Sequence, residues 1–182
     1  MKLPLFPLSI CLLPQGFTQL RIFEPRYKRL VTESLKSGEG FGLCMLTSDN
    51  QLMPLGTWVH IIDFETLDDG LLGISIEGKQ RFKINQFDTE ADGLKRGDVS
   101  LIPDWPQTDI KPKQHFLKKT LQEILQQYPQ QLSHYKDDDF NNLSWVCQRW
   151  LEIMPISPEE KYQCINSHNH EMTQALITSI IK

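Results

Sequence analysis

The stretch Leu20-Arg21-Ile22-Phe23-Glu24-Pro25-Arg26-Tyr27 constrains the fold more than any other part of the chain. Upstream, Phe17, Gln19, Arg21 and Phe23 alternate with Thr18, Leu20 and Ile22, the two-residue period of a strand. At Pro25 the period changes. Proline has no N–H to lose in a first helical turn and its φ is already helical, so Pro25 predicts position N1 of a helix. Glu24, held extended by the ring after it, is placed to cap that helix or to favour its positive end. Tyr27, Leu30, Val31 and Leu35 then recur at helical spacing, and Ser37-Gly38 closes the run. A strand is thus spliced directly to a short helix, and one face of that helix must pack on the sheet its own strand belongs to.

The remainder of the first half reads as strands. Residues 41–46 are an apolar run ended by the turn Thr47-Ser48-Asp49-Asn50, and 58–64 are a strand followed by the hairpin turn Asp68-Asp69-Gly70. Residues 71–76 return as its partner; 81–84 and 86–88 alternate, Asp92-Gly93 turns the chain, and 94–102 end the series. Short strands at even spacing predict a small closed or nearly closed antiparallel β-barrel, interrupted by one helix at about 25–37. Composition shifts at 103–108, and beyond it the period becomes helical. Leu117, Leu121, Ile124 and Tyr128 form one stripe that Pro129 ends. The aspartates of 137–139 are placed to cap a second helix carrying Phe140, Leu143, Cys147, Trp150 and Met154, which Pro155 stops. Ser157-Pro158-Glu159-Glu160 has the form of a capping box with proline at N1, and Met172, Leu176 and Ile180 make a last stripe. The predicted class is α+β: a barrel lobe over 1–106, then a helical lobe of about four helices over 107–182 packed on it.

Bulk properties exclude several functions. A chain of 182 residues with net charge −4 and no basic stripe argues against a dedicated nucleic-acid binder. Pro4, Pro7 and Pro14 interrupt the apolar N-terminus, which therefore reads as an edge segment rather than a secretion signal. No apolar run approaches the roughly 20 residues of a membrane helix. Cys11, Cys44, Cys147 and Cys164 lie scattered in apolar surroundings, the pattern of reduced, buried thiols in a cytoplasmic protein.

Residues 73–80, Gly-Ile-Ser-Ile-Glu-Gly-Lys-Gln, nearly match a phosphate-binding loop, but Gln80 lacks the Mg²⁺-binding hydroxyl and strands flank it, so a plain turn is expected. His168 and His170 lack the further ligands that zinc needs. His60, between Val59 and Ile61, reads as a sheet histidine. No nucleophile elbow, Ser-x-x-Lys or cysteine signature is present. No catalytic, cofactor-binding or metal residue is predicted.

One resemblance runs through nearly the whole sequence. Leu3-Pro-Leu-Phe-Pro-Leu8, the turn Pro14-Gln15-Gly16, and above all Ile22-Phe-Glu-Pro-Arg-Tyr27 resemble the opening of the Lon protease N-terminal (substrate-binding) domain family. Phe41-Gly42, Gly56-Thr57, Asp69-Gly70 and Arg81-Phe82-Lys83-Ile84 follow in that family's order, and Met154-Pro155 with Ser157 to Lys161 resembles its proline-led C-terminal segment. The resemblance implies a PUA-like barrel and a module that handles polypeptide without cutting it, since the family's ATPase and Ser/Lys protease modules do not precede Lys182. It implies client polypeptides as partners, a protease as a further partner, and an adaptor role in protein quality control. An RNA-binding PUA-like domain and an enzyme whose site is assembled only in three dimensions are the competing classes. In the family motif, Phe23 and Tyr27 are expected in the core, with Glu24 and Arg26 in local ion pairing or capping around Pro25.

Polypeptide binding needs exposed apolar surface near backbone-satisfying groups. Two places are predicted: a groove between the lobes near Trp105, Tyr128 and Phe140, and an open barrel edge at 51–55, where Met53 sits among exposed apolar residues.

Overall fold

Alternation in the first hundred residues becomes six strands and one helix: β1 (Lys2–Leu8), β2 (Phe17–Ile22), α1 (Pro25–Ser37), β3 (Phe41–Leu46), β4 (Leu52–Thr66), β5 (Leu72–Thr89) and β6 (Lys95–Leu101). This is the computed structural model of the chain, which describes residues 1–181. The strands form one sheet in the order β2-β5-β4-β3-β1-β6. Because β5 is 18 residues long, its start pairs with β2 and its end with β6. Pairing therefore passes from β5 through β4, β3, β1 and β6 and returns to β5.

Three expectations change here. The sheet is mixed, because β1 and β3 run parallel from Leu5 opposite Gly42 to Leu8 opposite Met45. A parallel pair needs a crossover, and the intervening β2 and α1 supply it by bringing the chain back to start β3 in the direction of β1. Residues 73–80 are not a turn; they lie inside β5. The turn Pro14-Gln15-Gly16 crosses that strand instead: Gln15 N–H donates to Gly78 O at 2.8 Å, and Gly78 N–H donates to Gly16 O at 2.9 Å. A Cβ on Gly78 would lie 2.3 Å from the Leu13 carbonyl oxygen, so this close approach requires glycine. Finally, β4 already starts at Leu52, and Met53 and Leu55 are buried rather than displayed.

Most of the face of α1 that sequence periodicity selects enters the core: Tyr27, Leu30 and Val31 are buried with Phe6, Ile22 and Phe41, whereas Leu35 is 44% exposed and Ser34 is buried in its place. The Tyr27 and Phe6 rings stack 4.0 Å apart at 8°. The helix ends where Gly38 takes a φ of 71°, a left-handed cap that returns its N–H to Ser34 O. A second cluster gathers Leu3, Leu5, Cys44, Phe82 and Val99.

Contacts divide the chain into two compact units, Met1–Pro103 and Asp104–Lys182. The second is helical: α2 (His115–Leu125), α3 (Pro129–Leu132), α4 (Leu143–Ile153), α5 (Pro158–Ile165) and α6 (Glu171–Ile181). Every residue from Leu143 to Leu151 is buried, so α4 is the central helix, enclosed on all sides. Even its Arg149 is only 1% exposed. Its guanidinium meets Glu152 at 2.8 Å and lies 4.9 Å from the Trp145 ring. Asn142, not an aspartate, caps α4 by accepting from Ser144 N–H. Asp139 is occupied elsewhere, accepting from Lys136 N–H at 2.8 Å. Helix α2 stops at Leu125, and Pro129 opens α3 instead of ending α2. Ser157 accepts from Glu160 N–H at the start of α5, with Pro158 following it.

Candidate functional site

The Phe-Glu-Pro-Arg-Tyr motif is a fastening. Arg26 donates to Glu24 at 3.0 Å and to Gly93 O at 3.2 Å, tying the start of α1 to the turn between β5 and β6. One helical turn on, Arg29 bonds both oxygens of Asp92 and one of Glu90, and it also meets Glu33. Arg96 on β6 closes the network on Glu33 and Glu90. Arg96 and Arg29 hold the Glu90 carboxyl down at about 2, and Arg29 does the same for Asp92. Burial raises the Tyr27 phenol above its usual value, partly offset by Arg26. Phe23 departs from expectation: it is 63% exposed, because it follows the buried Ile22 and so continues the side of Gln19 and Arg21, which β2 leaves exposed. Glu24 makes no side-chain cap.

An apolar groove lies within the helical unit. Pro155 stops α4 and Leu125 ends α2 nearby, leaving a cavity of about 240 Å³. Ile124, Tyr128, Ile153, Met154, Ile177 and Ile180 line it. Ile177 and Met154 are buried, whereas Tyr128 and Ile180 are 54% and 49% exposed. Among the described residues, the only titratable group in this lining is the Tyr128 phenol. Such a surface can bury apolar side chains.

Among the four residues predicted to touch polypeptide, Tyr128 lines this groove. Trp105 and Phe140 are buried in the same unit. Trp105 donates its indole N–H to Ser167 O at 2.7 Å, and the Phe140 ring meets the Trp145 ring at 4.8 Å. Met53 belongs to the sheet unit and is 3% exposed. Ile153, Ile177 and Ile180 are not joined by the sequence pattern; Ile180 stands on a predicted stripe, but nothing in one dimension brings three helices together. Burial pushes the Cys44 and Cys147 thiols up to about 12, far from a reactive thiolate. His60 stacks edge-on against Trp58 at 4.9 Å, and burial, then Lys79, lowers its pKa. Among the described residues no His, Cys, Asp and Glu cluster fits a metal ion, and no helix is long and apolar enough to cross a membrane.

Comparison with known proteins bears on the fold and the family. A Lon N-terminal domain protein from Xanthomonas campestris is 27% identical, with a TM-score of 0.78 over 98% of each chain. The N-terminal domain of Lon protease from the Mycobacterium avium complex superposes with a TM-score of 0.70 over 98% of this chain and 97% of that one; at 14% identity it speaks for the fold alone. The family model of the ATP-dependent protease La (LON) substrate-binding domain matches residues 2–178, and the chain belongs to that family.

Proposed function

We propose that the protein is a non-catalytic module that captures unfolded polypeptide clients and serves as a recognition factor in cytoplasmic protein quality control, alongside a protease. The observation that carries this function is the open apolar groove in the helical unit, with Tyr128 and Ile180 displayed at its mouth. Each apolar side chain buried there contributes on the order of 1.5–3 kcal/mol before the cost of ordering the client, so a few contacts give moderate, reversible affinity. That strength suits a client that must be passed on. Membership of a substrate-binding domain family supports the same role. The returning strand pairing of the sheet supports a small PUA-like barrel as the rigid frame of the first unit.

The test is titration of a labelled, permanently unfolded client into the intact protein and its Ile180→Asp variant. A charge in the groove is expected to weaken capture at least about tenfold, about 1.4 kcal/mol, while Tm stays within about 2 °C because Ile180 is half-exposed. Equal capture by the variant would remove the groove from the account.

A further inference from the structure

Strand β4 outruns its partner. The pairing of β3 with β4 reaches Phe41 opposite Val59 and goes no further in that direction, whereas β4 continues to Thr66 with only β5 beside it. Among the described residues, no backbone hydrogen bond from another segment reaches the other edge of 61–66. Residues 62–66 are all exposed, including the apolar Ile62 at 43% and Phe64 at 59%. The Phe64 N–H donates to the carboxylate of its own neighbour Asp63 at 2.9 Å, a local substitute for a ladder bond. An unpaired row of N–H and C=O groups flanked by exposed apolar side chains is a template for one kind of occupant, an extended backbone.

Charge selects among extended backbones. No lysine or arginine occurs between Lys36 and Lys79, while Asp63, Glu65, Asp68 and Asp69 gather at this end of the hairpin. The nearby Arg21 is engaged by Asp69. Across the ladder Asp63 faces Ser75 and Glu65 faces Gly73, so neither meets a basic side chain on its pairing partner. A second copy of the chain would set these carboxylates against their own kind, which disfavours self-pairing. A segment carrying Lys or Arg at alternate positions, with apolar residues between them, would answer both the Asp63/Glu65 face and the Phe64 face.

We propose that the exposed edge of β4 at 61–66 binds basic, apolar-alternating client segments by strand addition. This rests on the polypeptide-binding function above and adds to it a mode and a sequence preference. The experiment uses the intact protein and two labelled peptides of about ten residues, one alternating Lys with Val and the other Glu with Val, read by fluorescence anisotropy at low salt. The Lys peptide is expected to bind about tenfold tighter, and the paired substitution Asp63→Lys with Glu65→Lys to invert that order. In the unsubstituted protein, amide exchange at 61–66 is expected to slow on binding, a readout that survives even if the double variant folds poorly. Equal binding of both peptides with unfolded-client capture intact would overturn the edge site and leave the groove standing. Absence of capture of any polypeptide would overturn the underlying function as well. Preference without protection at 61–66, or protection arising from self-association, would equally overturn the proposal.

Discussion

The two units hold ion pairs of opposite character. In the sheet unit, Arg29, Glu33, Glu90, Asp92 and Arg96 form a surface network in which each side chain remains about a quarter to two-fifths exposed. In the helical unit, Arg149 and Glu152 form a pair with side chains 1% and 5% exposed, under the Trp145 ring. Water screens the first set, so its members contribute little individually and act by holding α1 to one register on the β5–β6 turn. The second pair has lost its water, and each charge depends on the other and on the surrounding rings. The N···O distances are alike in the two places, 2.7–3.1 Å in the network and 2.8 Å in the buried pair, so burial decides which matter.

The sharpest break of this comparison is Glu152→Gln. It leaves the Arg149 charge buried without that carboxylate and should cost about 3–5 kcal/mol, seen as a lower urea midpoint. Trp105, Trp145 and Trp150 lie in the helical unit and Trp58 in the sheet unit, so indole fluorescence reports chiefly on the former. Next comes Gly78→Ala, which drives a methyl toward Leu13 O and should destabilise the sheet unit by about 1–3 kcal/mol, read from β-sheet circular dichroism on melting. Ser157→Ala removes the acceptor for Glu160 N–H and should cost about 1 kcal/mol in the helical unit. The smallest effect is expected from Glu90→Gln. Because the folded pKa of Glu90 is depressed to about 2, its contribution is present above the ordinary carboxylate pKa and lost as pH falls toward 2. The variant should therefore flatten the acid limb of the stability curve between about pH 4.5 and 2, with a difference that shrinks in salt. A Glu90→Gln loss as large as that of Glu152→Gln would break the comparison.

Local punctuation was legible in the sequence because its physics is local. Pro25 opens α1, Gly38 closes it in a left-handed cap, and Ser157-Pro158 starts α5, all from steric and hydrogen-bonding rules that span a few residues. What the sequence hid depends on partners far along the chain. The parallel pairing of β1 with β3 follows from where the α1 crossover delivers the chain. Gly78 suggested a turn, yet it is a strand residue kept small by Leu13, a contact no short window contains. Phe23 is expected in the core for its aromatic ring, yet it shares the phase of Gln19 and Arg21, the exposed side of β2. The aromatic and Met side chains of Trp105, Phe140 and Met53 suit binding, and the same apolarity buries them once neighbours are present. The groove around Tyr128 draws on α2, α4 and α6, so its existence is a property of packing. Of the free edge at 61–66, residues 61–64 were legible as strand; that β4 runs on to Thr66, and that the shorter reach of β3 makes it an edge, were not.

The central claim is that this chain presents surface to polypeptide and performs no reaction on it. The most direct measurement is equilibrium binding of a labelled unfolded client to the intact protein, followed by the mass of the recovered client. Saturable binding, displacement by a competing unfolded chain and an unchanged client mass are the expected result. Absence of saturable binding, or a client recovered cleaved or chemically altered, would contradict it.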